Sequence, residues 1–258
     1  MDFMSHPFWD KYLEFEERLE RPTNIFALLG RIIVIPLHQY SRYFQRYRVM
    51  AHERTLDELV PANLLQQFQD EVGKENTVGR SKSTAEVERD VRTRVDAHYM
   101  TIYNRTQSET TKRWVFEQNI KRPFFHVTDL EESELDGWRK YLDWEEAQGD
   151  FQRTMFLYER CLVPAASYDE FWLRYVRWMQ AQRKTENTRI IYQKASYVFS
   201  PIAKPDIRYS WSLFEEAQGN AGTAEAILEA ILVAMPGHFD TIMRLMNLQL
   251  GQLREREM

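Results

Sequence analysis

The feature that most constrains this chain is a spacing of aromatic residues that occurs twice, 34 residues apart. The paired positions are Trp138 and Trp172, Tyr141 and Tyr175, Trp144 and Trp178, and Tyr158 and Tyr192. A fixed period in the thirties is typical of helical repeat arrays. One helix pair cannot bury its apolar face alone, so neighbouring pairs stack and share a core. The sequence therefore predicts an all-α fold, an α-solenoid of antiparallel helix pairs.

Further copies of the spacing lie at both ends of the chain. The first holds Trp9, Tyr12, Phe15 and Glu16, and a later one holds Trp211, Phe214 and Glu215. The segment Glu-Glu-Ala-Gln-Gly that begins at Glu145 returns 70 residues later at Glu215, and we expect its glycine to end a helix. Aromatic residues at i, i+3 and i+6 lie along one side of a helix. We therefore expect the rings to be buried and the recurrent glutamates to accept hydrogen bonds from a ring donor or a helix end.

The pattern divides the 258 residues into four parts. Residues 1–72 are predicted to hold about two N-terminal repeats, and residues 73–85, which are polar and contain two glycines, a flexible loop. Residues 86–128 are predicted to form a long bridging helix followed by an extended linker. Residues 129–258 are predicted to hold three C-terminal repeats and an incomplete one.

Composition excludes several classes of protein. Nine glycines and nine prolines suit helices joined by short turns and argue against a β-sandwich or barrel. A net charge of −5 excludes a generally basic coat for nucleic acid, although a local basic face is left open. The single cysteine fits a reducing compartment. The most apolar run, residues 27–37, is interrupted by Arg31 and Pro36 and is too short for a membrane span. We therefore expect a soluble intracellular chain without a membrane partner.

The cysteine, the histidines and the paired glutamates could serve catalysis or metal binding, but their positions in the sequence favour a structural role. Cys161 occupies the small-residue position of a packed helix, and the six histidines lack the spacing of metal ligands. The paired glutamates follow the repeat period, and neither a phosphate-binding nor a nucleophile motif is present. The sequence thus predicts no catalytic residue, metal site or cofactor.

Two surfaces remain open to two interpretations each. Arg42, Arg46, Arg174 and Arg177 could contact RNA phosphates or a partner, or they could belong to solvated helix faces, which we favour. Met243 and Met246 on the last helix could line a partner groove, or they could mark the unfilled end of the array.

The aromatic stripe together with the Tyr158-Glu159-Arg160-Cys161 helix resembles the half-a-TPR (HAT) repeat of RNA-processing proteins. The segment 117–127, which leads into Trp138, and the opening segment 5–12 resemble the pre-mRNA-processing factor 39 family more specifically. That resemblance implies a nuclear scaffold of the U1 snRNP that acts in 5′ splice-site recognition. It also implies a homodimer, or a heterodimer with a paralogous HAT protein. The chain departs from the family pattern at Arg208 and Trp211, where the stripe expects Trp and Tyr.

Three other functions are weighed against the U1 scaffold. One is a direct RNA binder that uses a basic helix face, with RNA contact secondary to protein contact. Another is a different HAT scaffold, for example in mRNA 3′-end processing, or a TPR-like peptide receptor. An enzyme, such as a helical-repeat prenyltransferase subunit, is the weakest of the three because no site chemistry accompanies the repeats.

Overall fold

A computed structural model describes the backbone of residues 3–76 and 83–257 and the side chains of 3–74 and 83–253. These residues form thirteen α-helices and one π-helical turn (Ala195–Phe199), and no strand occurs among them. The all-α prediction is confirmed. The helices are α1 (His6–Arg18), α2 (Pro22–Ile32), α3 (Tyr40–His52), α4 (Leu56–Leu59), α5 (Ala62–Asn76), α6 (Thr84–Glu117), α7 (Glu132–Gln148), α8 (Phe151–Cys161), α9 (Asp169–Ala181), α10 (Thr185–Lys194), α11 (Asp206–Ala217), α12 (Ala221–Ala234) and α13 (Phe239–Glu257).

The chain divides into two compact units after Asn119. In the first unit, α2 packs against α1 and α3, and the long helix α6 packs against α3 and α5. Val91 and Val95 of α6 are buried in the same core as the residues of α2. Further along α6, the Thr106 hydroxyl donates a 2.9 Å hydrogen bond to the Ile33 carbonyl. The helix predicted to bridge two groups of repeats is thus packed into the first unit along much of its length.

Helical structure enters both ends of the segment 73–85, for which a flexible loop was predicted. Helix α5 continues through Gly73 to Asn76, because one glycine weakens a helix without ending it. At the other end, Ser83 caps α6 through a reciprocal pair of hydrogen bonds with Glu86. Residues 77–82, the middle of that prediction, lie outside the described residues.

The second unit contains three packed helix pairs, α7 with α8, α9 with α10 and α11 with α12, and then α13 on α12. Gly149 and Gly219 follow α7 and α11 with backbone φ angles of +74° and +78°. This left-handed conformation ends a helix, and glycine adopts it without the steric cost that a Cβ brings. Gly149 therefore ends its helix as predicted, and the chain turns back within two residues.

Stacked rings connect one helix pair to the next. Tyr158 of α8 stacks on Tyr175 of α9 at 4.6 Å between ring centroids, with the ring planes 11° apart. Tyr192 of α10 stacks on Trp211 of α11 at 6.3 Å and the same angle. The aromatic period of the sequence thus corresponds to a repeated contact between the second helix of one pair and the first helix of the following pair.

No helix among the described residues is both long and apolar enough to cross a membrane.

Candidate protein-interaction surface

Most aromatic residues of the repeat motif are buried and form the core. Those less than a tenth exposed are Trp9, Trp138, Tyr141, Tyr158, Trp172, Tyr175, Tyr192, Trp211 and Phe214. Trp144 and Trp178 are half-buried. Side chains in these positions hold the helices together, so a partner has little access to them.

Tyr12 and Phe15 are exceptions, and the expectation that they are buried is wrong. They are 37% and 55% exposed, and the neighbouring Phe8 on the same helix is 61% exposed. In later repeats the ring at the position of Tyr12 is covered by a ring from the preceding helix pair, as Tyr158 covers Tyr175. This part of α1 is therefore an exposed apolar face.

The recurrent glutamates Glu16, Glu145 and Glu215 are all buried. Glu215 accepts hydrogen bonds from Arg189 at 2.6 and 2.9 Å, which lower the pKa of its carboxyl group. It also accepts one from the indole N–H of Trp211 at 3.0 Å and one from the Asn220 amide at 2.8 Å. These donors are a ring and a residue at the start of the next helix, as the sequence predicted.

Arg42 and Arg46 of α3, two of the four arginines proposed as RNA contacts, are paired with carboxylates of α1. Arg42 donates to Asp10, which also accepts a 2.8 Å hydrogen bond from the Tyr43 hydroxyl. Arg46 pairs with Glu17. The two pairs link the first helices of consecutive repeats, so their charge is already balanced within the fold.

Arg174 makes the equivalent link in the second unit. Its guanidinium lies 2.5 Å from Asp143 and 2.9 Å from Glu146 of α7, and it donates to the Tyr158 hydroxyl at 3.2 Å. Burial and the hydrogen bond to Glu146 raise the pKa of Tyr158, so this phenol stays neutral. Arg174 thus ties α9 to α7 across one repeat.

Arg177, the fourth of these arginines, is exposed, and its Nε donates to the carbonyl of Leu173 in its own helix. Two of these four arginines belong to the first unit and two to the second. Sequence reasoning missed the ion pairs of Arg42, Arg46 and Arg174 because each carboxylate partner lies roughly one repeat away in the chain. The signal was nevertheless present, as opposite charges about 30 residues apart.

The cysteine and the histidines that were weighed for catalysis or metal binding do not form a reactive site among the described residues. Cys161 is fully buried, and burial raises the pKa of its thiol well above the usual value. Within the described part of the chain, no group of three or more His, Cys, Asp or Glu side chains could hold a metal ion.

Helix α13 presents a second exposed apolar face. Its buried Leu248 shares a core with residues of α12, and its buried Thr241 lies 2.7 Å from the Tyr209 hydroxyl of α11. The opposite side carries exposed apolar residues spaced alternately by four and three, namely Phe239, Met243, Met246, Leu250 and Leu253. This spacing places them along one line of the helix, a pattern that suits contact with another helix. Both interpretations of the methionines, a partner groove and an open end of the array, remain compatible with this face.

Comparison with known proteins identifies the same repeats. Residues 111–250 match the PRP39 C-terminal HAT repeat family, and residues 1–49 match the PRP39 N-terminal HAT repeat family. Pre-mRNA-processing factor 39 of Schizosaccharomyces pombe is 48% identical over 259 aligned residues, which cover 96% of this chain and 42% of that protein. The human protein of the same name is 30% identical, with 99% of this chain and 41% of that protein covered.

A more distant similarity extends to the U1 small nuclear ribonucleoprotein component PRP42 of Saccharomyces cerevisiae. It is 24% identical over 182 residues, which cover 66% of this chain and 32% of that protein. The chain spans about two fifths of the length of the S. pombe and human relatives that it matches.

Proposed function

Because the chain belongs to the pre-mRNA-processing factor 39 family of HAT-repeat proteins, we propose that it is a non-enzymatic scaffold of pre-mRNA splicing. In this proposal it is a component or associate of the U1 snRNP, it acts in 5′ splice-site recognition through protein–protein contacts, and it works in the nucleus.

The observation that carries the proposal is the match to both PRP39 repeat families, together with the similarity to a relative named as a U1 component. The fold is consistent with this proposal, because most aromatic rings of the repeat motif are buried between packed helices. What remains for function is surface, including the apolar faces of α1 and α13. Exposed apolar faces of this kind are typical of protein-interaction sites.

A direct RNA-binding function has weaker support. Phosphate binding depends on cations that can exchange their counterions for phosphates. Arg42, Arg46 and Arg174 already have carboxylate partners in the fold, and the chain as a whole is acidic. The second alternative, a scaffold of mRNA 3′-end processing, is disfavoured by the names of the relatives, which refer to pre-mRNA processing factor 39 and to the U1 particle.

Association with the U1 particle can be tested by precipitation of the tagged chain from S. pombe extract. We expect U1 snRNA to be enriched over U2 snRNA in the precipitate. Trp172→Ala is the matched loss-of-fold control, because it removes a buried ring from the centre of the second unit. Equal amounts of the two RNAs with the intact chain would contradict the proposal.

Dimerisation, with itself or with a paralogous HAT protein, is a separate part of the proposal. Light scattering of the purified chain over a tenfold concentration range measures the molar mass directly. A mass of about twice 31.1 kDa at all concentrations would place a homodimer interface in these residues. A constant mass of 31.1 kDa would refute a homodimer of this chain and leave the heterodimer to be tested by mixing with the paralogue.

A further inference from the structure

A groove of about 450 Å³ lies on the second unit, between α10 with its π-helical turn on one side and α11 and α12 on the other. Trp211 and Ile227, both buried, form part of its lining. Arg189 and Glu215 lie in it too and are bonded to each other. Arg208, Ser196 and Tyr197 also line the groove.

Arg208 is a cation that forms no ion pair with a carboxylate in the described part of the chain. It stands at the repeat position occupied by Trp138 and Trp172, and it donates to the carbonyls of Ser196, Ser200 and Pro201 at the end of the π-helical turn. These bonds use three of the five N–H groups that a guanidinium carries. No carboxylate of the described residues lies within ion-pair distance of it. Burial lowers the pKa of Arg208, and the charge of Asp169, which acts in the opposite direction without forming an ion pair, offsets this only in part.

Ser196, in the π-helical turn, adds a second unfulfilled group to the same groove. The residue is 3% exposed, and its buried hydroxyl oxygen has no hydrogen-bond partner among the described residues. A buried polar atom without a partner costs about 1–3 kcal/mol, so native structures usually satisfy it. An acceptor brought into the groove would receive a hydrogen bond from this hydroxyl, and its negative charge would balance Arg208.

The groove also offers apolar contact surface, beside the polar side chains of Gln193 and Asn220. The ring of Tyr197 is 74% exposed and meets Trp211 edge-on at 5.6 Å. Across from it, α12 exposes Thr223, Ala226 and Ala230, spaced by three and four residues along one line of the helix. Small side chains in such a line allow another helix to approach to about 8 Å. The groove can therefore accommodate a helix, and Arg208 and the Ser196 hydroxyl together form one position suited to an anion.

We propose that this groove binds an amphipathic acidic helix of a partner protein. A carboxylate of that helix pairs with Arg208 and accepts from the Ser196 hydroxyl, while its apolar side chains cover Tyr197 and the alanines of α12. The proposal rests on the scaffold function proposed above and names the chemistry of one partner segment.

A polynucleotide fits this groove less well than an acidic helix. RNA binding needs several cations along its backbone, whereas among the described residues that line the groove Arg208 alone is a cation without a carboxylate partner. At the Arg189 end, the charge is balanced by Glu215 and by Glu186, so this end offers no net positive charge to a further phosphate of a polynucleotide. The exposed alanines contribute apolar contact that a phosphate backbone does not use.

The test uses a phage-displayed library of helix-forming peptides randomised on one face and selected on the purified full chain. We expect selected sequences to combine Asp or Glu with apolar residues at spacings of three and four. Synthetic peptides from the selection are then measured by fluorescence anisotropy. Arg208→Gln is expected to weaken binding about tenfold, the effect of one charge-assisted hydrogen bond. Ala226→Arg, which fills the groove, is expected to abolish it.

Ala147→Arg is the matched control, because Ala147 is an exposed alanine in a helix away from the groove. It should leave peptide binding unchanged. Ser196→Ala should weaken binding about threefold without lowering the thermal stability of the free chain, since it removes an unsatisfied polar atom. This variant keeps the test decisive if Arg208→Gln fails to fold, as judged by circular dichroism.

Three results would overturn the groove proposal: no enriched sequences, enriched sequences without a carboxylate, or affinity that Ala226→Arg does not change. Binding of a single-stranded RNA that Ala226→Arg and Arg208→Gln weaken would replace the peptide with RNA. A chain that precipitates U1 snRNA but selects no acidic helix overturns the groove proposal alone. A chain that selects acidic helices but precipitates no U1 snRNA overturns only the proposed function.

Discussion

The buried carboxylate of Glu215 allows a quantitative test of how the repeats are held together. Its side chain has no exposed surface, and Arg189 supplies two of its hydrogen bonds, at 2.6 and 2.9 Å, from a neighbouring helix. Arg189→Met keeps the aliphatic length of the side chain and removes the guanidinium. Glu215 is then left in the core with only the neutral donors of Trp211 and Asn220.

The expected cost is about 3 kcal/mol of unfolding free energy at pH 7. Breaking a fully buried ion pair costs about 3–5 kcal/mol, because the remaining charge loses its compensation. Arg189 is 23% exposed, so water can partly replace it, and we take the lower end of that range. For a unit of roughly 140 residues, residues 120–258, this corresponds to a fall in Tm of about 10 °C.

The effect should depend on pH in a defined direction. Arg189 lowers the pKa of Glu215 in the folded chain, so the pair adds stability above the carboxyl's ordinary pKa of about 4.3. That stability is lost as pH falls through the lower folded pKa. The difference between wild type and Arg189→Met should therefore be largest above about pH 5 and shrink below about pH 4.

Urea unfolding followed by circular dichroism at several pH values measures both effects. Arg177→Met is the matched control, because Arg177 is exposed and bonds only to a carbonyl of its own helix, and it should change stability by less than about 0.5 kcal/mol. A loss for Arg189→Met as small as that of the control would refute the reasoning. So would a loss of equal size at pH 7 and at about pH 3, below the ordinary carboxyl pKa.

Three further predictions follow from burial and backbone geometry. Gly149→Ala should lower the free energy of unfolding by about 1 kcal/mol because φ is +74° there. Gly137→Ala, inside α7 with no atom within 4 Å of the added Cβ, should raise it by about 0.5–1 kcal/mol, and urea unfolding of both variants measures the opposite signs. Trp172→Ala should cost about 3–5 kcal/mol and Phe15→Ala less than about 1 kcal/mol, since the first ring is 1% and the second 55% exposed; equal losses in thermal unfolding would show that the burial assignment is wrong. The Cys161 thiol should react with a thiol reagent only after denaturation, because burial keeps it neutral and inaccessible; rapid reaction in the native chain, measured by absorbance, would contradict this.

The sequence was sufficient for the helical repeats because their period is a packing contact. Rings such as Tyr158 and Tyr175 recur at fixed spacing since each pair of helices meets the next through the same stack. The ring spacing is the same for buried and for exposed rings. The sequence therefore could not predict that Tyr12 and Phe15 are exposed. The π-helical turn that Arg208 holds was also beyond reach, because it depends on a hydrogen-bond pattern that no local propensity encodes.

Charge pairing adds a second period that the sequence does contain. Arg42 reaches Asp10, and Lys194 reaches Glu159, in both cases 32–35 residues back in the chain. Each pair is exposed enough to contribute at most about 1 kcal/mol, so apolar burial still determines stability. What such pairs supply is register, since sliding one helix along its neighbour by a turn would separate opposite charges. Scanning a repeat sequence for opposite charges one period apart should therefore identify basic residues committed to the fold, and the arginines left over, such as Arg208, are the ones to examine for partners.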